Sequence, residues 1–134
     1  MTPELWYLIW SAGLTLILCV VAVSGATLQV GLPALAGNRE GFPEMAGWAG
    51  RAQRAHRNML ESLILFAIVV FAAKAAGVSD AMTLLGAQLF FWGRVAHAIF
   101  YISGIPWART GAWIVSIVGV IVIFVELLRH VPQA

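Results

Sequence analysis

The run Arg51-Ala-Gln-Arg-Ala-His-Arg-Asn-Met-Leu-Glu61 concentrates three arginines, a histidine, an asparagine and a glutamate, and leads straight into the apolar stretch Ser62-Leu-Ile-Leu-Phe-Ala-Ile-Val-Val-Phe-Ala-Ala73. At about 100° per helical residue, Arg51, Arg54, Asn58 and Glu61 share one side of a helix. A second set, Arg94, His97 and Tyr101, is spaced i, i+3, i+7 and also shares a face, and Arg109 and Thr110 follow shortly after. Several guanidinium groups suit an anion with carboxylates, which they grip bidentately. One glutamate and one asparagine suit an ammonium or amide groups. The ligand chemistry this set selects is a zwitterionic, peptide-like molecule with two carboxylates, and glutathione is one such molecule.

The elements that carry these residues have to be membrane helices. The chain of 134 residues is 61% hydrophobic and only 10% charged, with a mean hydropathy of +0.90, whereas a soluble domain carries about 25% charged residues. Residues 1–134 therefore read as a single membrane domain. Ser62 to Ala73 is too short alone to cross a bilayer, which takes about 20 residues. The spanning helix must include part of the charged run, and ionisable groups at that depth face a protein interior or a wet cavity. A net charge of +2 gives no nucleic-acid footprint. The single cysteine, Cys19, excludes a disulfide framework within one chain and reads as a small buried hydrophobe.

The expected spans are about 5–30, 49–76, 81–103 and 110–128, which makes the fold class all-α, an integral membrane four-helix bundle. The first lacks a basic n-region and is longer than a signal sequence's apolar core, so it reads as a retained span. Residues 31–50, rich in glycine and proline, read as a loop. Gly77 is the expected stop of the second helix, and Ser79 or Asp80 the cap of the next. The short connection makes spans two and three antiparallel neighbours. All five prolines fall outside the span interiors. The basic residues Arg39, Arg51, Arg54, Arg57 and Arg109 collect at the first and third loops. The positive-inside rule then puts those loops in the cytoplasm and both termini on the opposite side.

Both polar stripes lie toward that cytoplasmic end, so a cationic pocket with one carboxylate is expected between helices two and three, with Arg109 and Thr110 at its mouth. His56 and Arg57 point elsewhere, His56 lying more than about 100° around the helix from Arg54. Polar groups on two faces of a helix in lipid call for a second protein surface, hence an oligomer with its site at a subunit boundary. The plainer explanations are snorkelling of Arg51 to headgroups and an i, i+4 ion pair between Arg57 and Glu61. They fit Arg94 and His97 poorly, since these lie a turn or more inside the span. No metal site is expected: there is no HExxH pattern, and too few carboxylates accompany His97, His56 or His130.

At these residues the chain resembles the MAPEG superfamily, membrane-associated proteins of eicosanoid and glutathione metabolism. Arg54-Ala-His-Arg-Asn-Met-Leu-Glu61 is similar to its helix-two signature. Arg94-Val-Ala-His-Ala-Ile-Phe-Tyr101 is similar to helix three of the microsomal prostaglandin E synthase and microsomal glutathione transferase branch, and Arg109-Thr110 to the Arg-Ser pair that opens helix four there. The resemblance implies a homotrimer in membrane lipid that binds glutathione between neighbouring subunits and meets a lipophilic small-molecule substrate. Arg54, His56, Arg57, Asn58 and Glu61 would hold the tripeptide's carboxylates and amine, and Arg94, His97 and Tyr101 would line the other wall. Arg109 would lie near the sulfur, with Thr110 where serine is usual. The chain departs from the family in its first loop, where Gln29-Val30 is followed by Gly31 rather than a basic residue, and Arg39 is the only arginine there.

A thiol has a pKa near 8.5 and reacts as the thiolate. A fixed cation such as Arg109 favours the charged form, and a hydroxyl such as Thr110 is placed to donate to the sulfur. The implied activity is a glutathione-dependent transferase or peroxidase acting on lipophilic electrophiles or hydroperoxides, with an isomerase as the nearest variant. Two other classes remain open: a non-catalytic lipid-binding or scaffold member, and a small transporter. The absence of a convincing internal repeat weakens the last.

Overall fold

Proline opens three of the helices and glycine follows four of them. The computed structural model describes residues 1–132 and contains five helices: α1 Pro3–Val30, α2 Leu32–Ala36, α3 Gly47–Ala76, α4 Ala81–Ser103 and α5 Pro106–Arg129. Pro3, Pro33 and Pro106 occupy the first turns of α1, α2 and α5, where a missing N–H is no loss and the fixed φ is already helical. Gly77 and Gly104 end α3 and α4 in the left-handed conformation, at φ of 71° and 81°. Each lets the following residue, Val78 or Ile105, close a bond back to Ala73 or Phe100, both at 2.9 Å.

The stretch 31–50, expected as loop, holds the extra helix α2 and the first turn of α3, so the described residues form five helices rather than the expected four. Asp80, not Ser79, caps α4. Its Oδ1 accepts from the backbone N–H of Met82 and Thr83 at 2.9 Å, while Thr83 Oγ1 accepts from the Asp80 N–H at 2.9 Å. Ser79 instead donates to Glu4, a buried carboxylate that Thr83 also reaches. That knot ties the start of α1 to the α3–α4 turn.

The helices pack through small residues. A Cβ on Gly86 would sit 2.6 Å from the Gly119 carbonyl oxygen, and one on Gly93 would sit 2.9 Å from the Ser116 nitrogen. These contacts let α4 and α5 approach backbone to backbone, the usual way membrane helices associate where lipid is as apolar as the core. At the centre, Phe66 of α3 stacks on Phe90 of α4, with centroids 4.0 Å apart and rings inclined by 19°. Leu18, Met59, Val70 and Ile123 complete the buried core.

The exterior is apolar too, with Leu16, Ile64, Ile68, Phe71, Trp92 and Ile114 all more than half exposed. Such a surface belongs in lipid. Helices α1, α3 and α5 are long and apolar enough to cross a membrane. Helix α4 has the length, 23 residues, but Gln88, Arg94 and His97 lower its apolar content and leave it outside that set.

Candidate functional site

The polar stripes meet near the C-terminal end of α4 and the N-terminal ends of α3 and α5. A cavity of about 270 Å³ lies there, lined by Asn58 of α3, His97 and Tyr101 of α4, and Arg109, Thr110 and Trp113 of α5. The Arg109 guanidinium lies 4.5 Å from the centroid of the Tyr101 ring, which it faces, and that ring in turn meets His97 edge-on at 5.4 Å. Stacking on an aromatic face holds a cation in place without neutralising it. Thr110 Oγ1 donates to the Pro106 carbonyl at 3.1 Å, so its hydroxyl must turn before it can donate to a ligand.

Arg94 forms the wall behind the cavity and is 1% exposed. Its Nη2 donates to Asn58 Oδ1 at 2.8 Å, its Nε to Met59 Sδ at 3.3 Å and its Nη1 to Ser62 Oγ at 3.4 Å. Every partner is neutral. Arg94 therefore fixes the Asn58 side chain at the cavity edge and brings an uncompensated charge close to it.

Arg51 leaves the group. Its Nε donates to the Ile102 carbonyl at 2.9 Å, satisfying the open C-terminal end of α4, where a cation is also favoured by the helix dipole. Arg51 thus takes neither the expected place in the pocket nor the headgroup contact offered as its plainer explanation, but a partner on α4.

The remaining polar residues of α3 do not line that cavity. His56 and Arg57 line a second cavity of about 260 Å³ between α1 and α3, shared with Cys19, Arg39 and Gln53. Arg54 and Arg57 border a third hollow of about 220 Å³ beside Glu44 and Met45. Glu61 is exposed on the flank of α3, about 20 Å along the helix from Gly47 at 1.5 Å per residue. Arg57 and Glu61 do not pair. Among the described residues the ion pairs are Glu126 with Arg129 at 3.2 Å and with His130 at 3.6 Å. One chain thus brings together Asn58, His97, Tyr101, Arg109 and Thr110, with Arg94 behind them, and leaves Arg54, His56, Arg57 and Glu61 outside the lining of that cavity.

Two features escape a reading of the sequence. Trp113, one turn beyond Arg109, also lines the cavity; its spacing of i+4 from Arg109 was the available signal. At the far end of the bundle, ligand atoms of Asp80, Glu126 and His130 lie within 4.8 Å of one another. His130 is therefore not isolated from carboxylates as its sequence context implies. Its Nδ1 lies 2.9 Å from the Glu126 carbonyl oxygen, so that nitrogen is already engaged.

Comparison with known proteins bears on the whole arrangement. No curated protein and no solved structure matches the chain. The MAPEG family model matches residues 5–129, which include every residue of the two polar stripes and all four long helices apart from Pro3 and Glu4 at the start of α1. The chain belongs to the MAPEG family.

Proposed function

We propose that this protein is a glutathione-dependent membrane enzyme that activates the glutathione thiolate for attack on lipophilic electrophiles or hydroperoxides. The observation that carries the proposal is the unneutralised guanidinium of Arg109, held over Tyr101 at the mouth of a polar cavity beside Thr110. A thiol placed there becomes a thiolate more readily, because the cation stabilises only the charged form. The thiolate attacks the electrophilic carbon of a substrate and either displaces a leaving group or adds, the resulting carbanion taking a proton from water. With a hydroperoxide it attacks one oxygen, the O–O bond breaks, the alcohol leaves after protonation, and the glutathione sulfenic acid so formed reacts with a second glutathione thiol to give the disulfide and water. No protein nucleophile is required. Rate comes from holding the two reactants together and from the preorganised cation. The apolar exterior supports delivery of the second substrate sideways from lipid.

On this reading α4 crosses the bilayer as the fourth span, despite its Arg94 and His97, because both side chains are buried against α3 and α5 rather than facing lipid. The protein works as a homotrimer. Arg54, Arg57 and Glu61 are exposed, and Glu61 has no ion-pair partner among the described residues. Charges so placed on the flank of a spanning helix are stable only against another protein surface. A neighbouring copy brings one chain's His56 and Arg57 toward the other's Arg109 cavity, and glutathione bridges the two. The basic residues gathered at this end support a cytoplasmic orientation for it, the compartment in which thiols are held reduced.

The test is ultraviolet difference absorbance of the purified protein titrated with glutathione at neutral pH, in wild type and Arg109→Ala. Saturable thiolate that disappears in the variant supports an activating enzyme. Binding without thiolate formation moves the assignment to a scaffold, and no binding at all overturns it.

A further inference from the structure

We infer that Asp80, Glu126 and His130 form a binding site for one borderline divalent cation of the zinc class, which fastens the start of α4 to the end of α5. The residues come from two separate stretches, Asp80 from the α3–α4 turn and the others from the last turn of α5 and the residue after it. One ligand atom from each nevertheless lies within 4.8 Å of those of the other two. Helix register explains the meeting. A Cβ on Gly86 would touch the Gly119 carbonyl oxygen at 2.6 Å, and one on Gly93 the Ala112 carbonyl oxygen at 3.1 Å, so α4 and α5 run antiparallel with a fixed offset. Carried about two turns past Gly86, that offset sets Asp80 beside Glu126, and His130 follows Glu126 by four residues on the same face.

Each group keeps a ligand atom free. Asp80 spends Oδ1 on the Met82 and Thr83 N–H groups, while its Oδ2 has no hydrogen bond among the described residues. The Glu126 side chain is only 9% exposed. Its Oε2 accepts from Arg129, and its Oε1 has no hydrogen bond among the described residues. His130 Nδ1, 3.6 Å from Oε1, is already committed to the Glu126 carbonyl at 2.9 Å. That bond is the outer support usual for a metal-binding histidine, since it makes Nδ1 the N–H and leaves the lone pair on Nε2. The ring is about half exposed and has room to turn Nε2 onto an ion. Two carboxylates this close repel unless positive charge stands between them. Arg129 is 69% exposed and pairs with Glu126 alone. A third acid, Glu4, is buried at the same end with only the hydroxyls of Ser79 and Thr83 on it. The cluster thus attracts a cation, and the imidazole chooses which. Calcium and magnesium take oxygen ligands, whereas one imidazole with two carboxylates suits zinc, a water filling the fourth place of the tetrahedron. Zinc holds such ligands at about 2.0–2.2 Å, so the three groups draw in around it. The ion adds a second tie beside the knot of Glu4, Ser79 and Thr83.

The experiment is calorimetric titration of the purified full chain with zinc chloride, after stripping with chelator and in the absence of thiols, followed by thermal unfolding with and without zinc. One zinc per chain is expected, together with a raised thermal midpoint. Glu126→Gln and His130→Asn should each weaken zinc binding by at least about tenfold, a loss that removing even an outer support can cause. Asp80→Asn keeps the N-cap but gives up the carboxylate charge. Its midpoint in chelator should match wild type, and its zinc affinity should fall as the others do. Cobalt(II) in place of zinc should show the strong visible absorption of a four-coordinate ion, and His130→Asn should lose it. Three results overturn the assignment. They are a wild type that binds no zinc, affinity unchanged in Glu126→Gln or His130→Asn, and a midpoint that each variant lowers to the same extent with zinc as without it.

Discussion

Replacing Arg109 by alanine separates binding from activation, and the structure sets the size of the effect. Two unit charges about 4 Å apart interact by about 1 kcal/mol in water and by about 4 kcal/mol at an effective dielectric of 20. Arg109 is only partly buried, so about 2 kcal/mol is a fair middle value. At about 1.4 kcal/mol per unit, that lowers a bound thiol by about 1.5 units, from about 8.5 to about 7. Wild-type protein at neutral pH then holds about half of its bound glutathione as thiolate, and Arg109→Ala only a few per cent, a fall of about fifteenfold. Affinity should change by less than about threefold, since the carboxylate contacts come from other residues (a factor worth well under 1 kcal/mol). Arg109→Lys keeps the charge and should recover most of the thiolate. The assay is thiolate absorbance against pH at saturating glutathione, with dissociation constants measured in parallel. A thiol pKa that stays the same in Arg109→Ala, or a loss of affinity as large as the loss of thiolate, refutes the reasoning.

Further outcomes can be measured on the same preparations. Glu61→Gln should weaken glutathione binding by about tenfold, the usual worth of a charge-assisted bond to an amine; unchanged affinity in titration removes Glu61 from the site. Native mass spectrometry in detergent should give three subunits, and a stable monomer would undo the interface read from Arg54, Arg57 and Glu61. Asp80→Ala should lower thermal stability by about 1 kcal/mol, the common cost of losing an N-cap. The N–H of Thr83 holds the Asp80 carboxyl below its ordinary value of 3.8, so its stabilisation is full above that pH and is lost as pH falls through the lowered value. The difference between Asp80→Ala and wild type should therefore close in acid, and a gap that widens there contradicts the cap.

The helix ends were the most legible part of the sequence, because each rests on one residue's own stereochemistry. Gly77 and Gly104 stop helices by adopting a backbone other residues resist, and Asp80 starts one with two local hydrogen bonds. Helix α2 was hidden because a single short helical piece with a proline at its start looks like any proline-containing loop. Periodicity placed Asn58, His97 and Tyr101 on converging faces, since two helices joined by a tight turn have little freedom. It could not tell Arg51 from its neighbours. Whether a guanidinium at a span end meets a ligand or the carbonyl of Ile102 depends on where α4 terminates in space, and no spacing within α3 encodes that. The role of Ser62 and Met59 in holding Arg94 was equally silent, as both residues read as ordinary lining of an apolar helix.

The bundle contains two polar clusters, and the contrast between them locates the site better than either does alone. At the far end Glu4 is 2% exposed, with its two oxygens taken by Ser79 and Thr83. Glu126 is 7% exposed and meets Arg129 and His130. Those acids find their partners within one chain, and a buried polar network that closes on itself serves mainly to hold elements in register. At the near end the balance reverses. Arg54, Arg57, Arg94 and Arg109 all lack an ion pair among the described residues, and Glu61, the carboxylate of α3, pairs with none of them. A low-dielectric setting makes each such charge expensive. Selection for stability alone would have removed these groups or paired them as it paired Glu126. Their unpaired state supports the proposed zwitterionic ligand, whose carboxylates would supply the missing charges.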